Sequence, residues 1–150
     1  MLIHAKETIS PTGPSHWMLS AEEAPSMHHA SILVRILVAK ISDLERAKAV
    51  LQSTPVRTRD AVSAPFTEHR GGYRMWNCIS WVREGLSSLG SSDALGTNVV
   101  AGWERIRDEA LEYVEMKKGQ HRFDGTAEPG RFKTDRVPTL DLVLGRETVE

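Results

Sequence analysis

The sequence predicts an α+β fold, a small and mostly antiparallel sheet packed against two or three helices. Two observations carry this. Ile32–Ile41 is a nearly continuous apolar run dominated by β-branched residues, as in a strand covered on both faces. Asn77–Leu89 and Gly102–Lys118 instead place apolar residues at three- and four-residue spacing, the period of an amphipathic helix. At 150 residues the chain fits one domain: an irregular N-terminal stretch with short strands (residues 1–31), a core (32–118), and a loop and tail (119–150).

The chain opens on Leu2-Ile3-His4-Ala5-Lys6 as though inside a strand. Pro11–Ser31 reads as loop, broken by an extended piece around His16–Leu19. Ile32–Ile41 is then expected to be the central strand. Ser42-Asp43-Leu44-Glu45 has the pattern in which a serine caps a helix and a glutamate three residues on closes the box. The helix that follows carries Leu44, Ala47, Val50 and Leu51 on one side, and Pro55 ends it. Val56–Tyr73 reads as a long loop ending in a short strand.

Asn77 is placed to cap the second helix, whose apolar face is expected to hold Cys78, Trp81, Val82, Gly85, Leu86 and Leu89, with Gly90 as its stop. The third helix has a stripe of Trp103, Ile106, Ala110, Tyr113 and Val114. Glu104, Asp108 and Glu109 lie toward its N-terminus and Lys117 and Lys118 at its C-terminus, the polarity that the helix dipole favours, with Gly119 as C-cap. Gln120–Arg136 reads as loop, Val137–Leu144 as a short docked segment, and the end as an exposed acidic tail.

Nineteen basic and 20 acidic residues leave a net charge of −1, so no basic face for nucleic acid or acidic membranes is expected. No apolar stretch approaches the roughly 18 residues of a membrane span, and the start lacks the apolar core of a secretory signal. A single cysteine excludes an internal disulfide and any multi-cysteine metal site, and fits a reducing, cytoplasmic setting.

Cys78 is the first candidate for chemistry. At the first turn of a helix, free backbone N–H groups and the helix dipole favour a thiolate, and catalysis would further need a histidine. The competing reading is structural, since free cysteines are among the most buried residues. His28-His29 point to opposite sides of an extended chain, and no carboxylate completes a ligand set, so neither a metal nor a cofactor is expected. His69 reads as a loop residue and His121 as a cation favoured at a helix C-terminus. Trp81 and Trp103 fall on helix faces, while Trp17 and Trp76 fit either core or a cleft. Gly71-Gly72 lacks the lysine of a phosphate loop, and no serine sits in a nucleophile elbow.

Five pieces in order and spacing give the chain a resemblance: Ile3–Glu7, Leu33–Ile41, Asn77–Val82, Glu112–Glu115 and Pro138–Val149. It resembles an uncharacterised fungal family, a domain of unknown function, that is distantly similar to permuted papain-like proteins of the NlpC-type and lecithin:retinol acyltransferase-like group. The resemblance implies a permuted papain-like fold, N-terminally truncated, with Cys78 at the nucleophile position and His4 at that of the second histidine. A less favoured alignment makes His16 the first histidine and His28 or His29 the second. Two functions follow as expectations. One is a degenerate cysteine hydrolase or acyltransferase acting on an amide, ester or thioester. The other is a non-catalytic accessory protein, for example in fungal secondary metabolism or host interaction, using an open sheet edge to pair with a protein partner or with itself.

Overall fold

The computed structural model describes residues 1–9, 16–22, 32–57, 76–100, 102–133 and 136–150. The readings of His28-His29, His69 and Gly71-Gly72 lie outside the described residues. The architecture is α+β, three helices with small, mostly antiparallel sheets. Residue contacts divide the chain into two compact units, Met1–Glu23 with Asp43–Ala94, and Ala24–Ser42 with Leu95–Glu150.

In the first unit, β1 (Leu2–Thr8) pairs antiparallel with β2 (His16–Glu22), Ala5 lying opposite Leu19. Alternation sends Ile3, Ala5, Trp17 and Leu19 to one face, where they pack with Trp76 and Trp81. The Trp17 and Trp76 rings meet edge to face at 5.7 Å. Both candidate cleft tryptophans therefore belong to the core of this unit. Helix α1 (Leu44–Ser53) is capped by Asp43, whose carboxylate accepts from the Arg46 amide at 2.9 Å. The expected Ser42 cap is thus off by one residue, because the aspartate carboxylate reaches the same free donors.

Helix α2 (Cys78–Gly90) packs against α1 and against β1. Asn77 caps it as expected, accepting from Ile79 and Ser80, while the Ser80 hydroxyl accepts from the Asn77 amide. Its buried face is Ser80, Trp81, Gly85 and Leu89; Cys78 and Val82 point outward. The apolar face read from sequence is therefore rotated. A cysteine and a valine mark the stripe in sequence, but Trp81 has far more apolar surface to bury and sets the rotation. Gly85 lets the helices approach: a Cβ there would lie 3.2 Å from Leu51 Cδ2. The Trp81 indole donates to the Thr54 carbonyl at 3.3 Å, tying α2 to the end of α1.

In the second unit, β3 (Arg35–Leu37) and β4 (Ala39–Ile41) divide the run that sequence reads as one central strand. β3 is an edge strand, parallel to β6 (Thr139–Asp141), which is itself antiparallel to β7 (Arg146–Val149). β4 pairs antiparallel with β5 (Leu95–Val99). The partner changes at Val38: the Leu37 carbonyl accepts from Leu142, and the Val38 carbonyl from Val100. Leu33, Leu37 and Ile41 are consequently exposed rather than covered on both faces.

The segment after Arg136 is docked structure, and the expected acidic tail is strand β7. Asp141 shapes the turn between β6 and β7, its carboxylate accepting from the amides of Val143 and Leu144 at 2.9 Å each. Helix α3 (Trp103–Gly119) ends one residue beyond the expected stop. The left-handed residue is His121 (φ 62°) rather than Gly119, with His121 donating to the Lys118 carbonyl and Arg122 to that of Lys117.

Candidate functional site

Cys78 is exposed at the first turn of α2. The donors next to it are already engaged, since the Asn77 side chain takes the amides of Ile79 and Ser80 at 2.9 and 3.1 Å. Around the thiol, Ile79 and Val82 are exposed as well, which gives this end of the helix an apolar surface.

His4 and His16 lie on the hairpin. His4 is opposite Ser20 and His16 opposite Thr8, so both belong to the face with Leu2, Lys6, Met18 and Glu22. The other face carries Ala5 and Leu19, and it is the one that packs with Trp81 of α2. The hairpin backbone thus stands between α2 and both imidazoles. Four residues of strand separate the two histidines, about 13 Å at the strand rise. Among the described residues, no hydrogen bond or ion pair joins Cys78 to His4 or His16.

The hairpin has a second property. Among the described residues it is a two-stranded sheet with α2 packed on one face, so each strand keeps one edge without a strand partner. The Glu22 carboxylate, at the end of β2, accepts from the Ser20 hydroxyl at 2.6 Å and lies 3.7 Å from Lys6 Nζ.

The second unit holds a buried polar cluster absent from the sequence reading. Lys117 lies on the inner side of α3, and its ammonium meets Glu147 of β7 at 2.5 Å. Tyr113, one turn earlier, donates its hydroxyl to the same carboxylate oxygen at 2.5 Å. Burial, then the hydrogen bond and charge of Glu147, hold the Tyr113 phenol far above its ordinary range. Phe132 collects three cations: Lys117 at 5.7 Å, Arg122 at 5.0 Å and Arg131 at 5.2 Å from the ring centre. Arg122 also donates to the carbonyls of Lys133 and Arg136 at 2.8 Å. The signal in the sequence is the spacing: Lys117 stands four residues after Tyr113 and so continues the apolar stripe.

Among the described residues, no group of three or more histidine, cysteine, aspartate or glutamate side chains is arranged to hold a metal ion. No described helix is long and apolar enough to cross a membrane. Comparison with curated proteins and with solved structures finds no match. A family profile does match, over residues 1–149. The chain belongs to the family of unknown function DUF6914.

Proposed function

We propose that this chain is a non-catalytic protein-interaction module that takes an extended segment of a partner onto the outer edge of β2. The observation that carries this is the seven-residue β2, flanked among the described residues by β1 alone. An edge strand offers a row of backbone donors and acceptors, and strand addition is a recurring way to use them. The core of Trp17, Trp76 and Trp81 behind the hairpin supports it, because a two-stranded ribbon unbacked by other structure is marginal in water. Hydrogen exchange on the full chain tests the reading: the β2 amides that point away from β1, every second residue, exchange fast in the monomer and become protected when a partner binds. Protection of all β2 amides in the isolated monomer refutes it.

A second reading keeps the cysteine chemistry that the papain-like resemblance implies, with Cys78 as nucleophile and His4, or less favourably His16, as base. The exposure of the thiol at a helix N-terminus favours it; the position of both histidines on the far face of the hairpin weighs against it. Alkylation by iodoacetamide as a function of pH separates the two. A fast reaction with a midpoint well below about 8.5 supports the enzyme, whereas unexceptional reactivity, with Cys78→Ser leaving partner binding intact, supports the interaction module.

A further inference from the structure

We propose that the partner on β2 is a second copy of this chain, paired antiparallel about a two-fold axis at Leu19. This rests on the interaction reading above and adds the occupant and the register.

Pairing two copies of β2 over all seven residues fixes one register, in which Leu19 meets Leu19 of the other copy and each residue meets its mirror position in the strand. His16 then faces Glu22 of the second copy, twice per dimer, and Met18 faces Ser20. An imidazole N–H donates to a carboxylate whether or not the ring is charged, and protonation adds an ion pair. Glu22 is already oriented by the Ser20 hydroxyl at 2.6 Å and by Lys6 at 3.7 Å. His16 is exposed, so forming the contact displaces only water.

Trp17, Leu19 and Ala21 share the opposite face, so the joined ribbon extends the apolar layer of each copy. The same construction on β1 is unfavourable. Full overlap there centres on Ala5 and sets His4 against Lys6 of the second copy, a pair in which neither side chain is a carboxylate that could accept from the other. The charge pattern therefore selects β2.

One seven-residue strand pair is a small interface, so the dimer is weak and depends on concentration. The test is sedimentation velocity on the full chain from micromolar to near-millimolar concentration. The chain should pass from monomer to dimer over this range. H16K places a cation opposite Glu22 and should preserve the dimer, whereas H16E should raise the dissociation constant about tenfold by opposing two carboxylates. The double variant H16E/E22K should recover most of that loss.

A dimer indifferent to H16E overturns the register. A chain that stays monomeric with fast exchange at the outward-facing β2 amides overturns self-pairing and leaves the interaction reading standing. A monomer in which the outward-facing β2 amides are also protected overturns both.

Discussion

Lys117 and Glu147 form an ion pair at 2.5 Å in which the lysine side chain is 2% exposed and the glutamate 27%. The asymmetry decides what each substitution does. Glu147→Gln leaves an ammonium buried without its counter-charge and should cost about 3 kcal/mol, whereas the double change K117M/E147M should stay within about 1 kcal/mol of the parent. Denaturant unfolding of the three proteins checks this. Equal stability of parent and E147Q would show that the pair contributes nothing.

The Tyr113 hydroxyl sits on the same carboxylate, and burial with Glu147 raises its pKa above that of an unfolded tyrosine. The folded protein therefore retains a proton that the unfolded chain releases, so stability is intact below about pH 10 and falls as pH rises further. Tyr113→Phe removes this alkaline sensitivity while losing about 1 kcal/mol at neutral pH. Unfolding midpoints near neutral pH and about half a unit above the ordinary tyrosine pKa measure both effects.

The His121 ring lies 2.8 Å from the Asp124 carboxylate, which Thr126 also contacts. These hydrogen bonds, that of His121 first, lower the Asp124 pKa from 3.8 to about 2. The carboxylate supports the fold above the unfolded value, and the support is lost as pH falls through the folded one. In His121→Ala, carboxyl titration by NMR should find Asp124 moved back toward 3.8. An unchanged midpoint would assign the shift to Thr126.

Asn77 supplies the N-cap of α2 with both cap contacts formed. Asn77→Ala should cost about 1 kcal/mol and Asn77→Asp about nothing, since aspartate accepts the same two amides. Thermal unfolding distinguishes them. If both lose stability equally, the amide nitrogen of Asn77 matters more than its oxygen.

The helices are legible in the sequence because their signals are local. The Asn77 cap, the proline after α1 and the four-residue spacing in α3 each act within a turn or two of chain. The strands are not, because a strand is defined by its neighbour. Nothing between Ile32 and Ile41 announces that the partner changes from Leu142 to Val100 at Val38. The same limit governs the site. That His4 shares a chain with Cys78 is visible in the sequence; that the hairpin register turns His4 away from α2 depends on Ala5 pairing with Leu19. Lys117 escapes sequence reasoning for a related reason. A lysine at the end of a helix is usually solvated, and only the return of β7 with Glu147 makes a buried position tolerable.

The counter-charge of Lys117 also arrives late in synthesis. Glu147 follows it by 30 positions, so at about 5–20 residues per second α3 exists for some seconds before its partner is made. During that interval the lysine must remain hydrated, and the inner side of α3 cannot close. The second unit therefore completes its core only after the chain has been read through β7. A chain that ends before Glu147 should keep Tyr113 accessible to solvent, however complete its helices are.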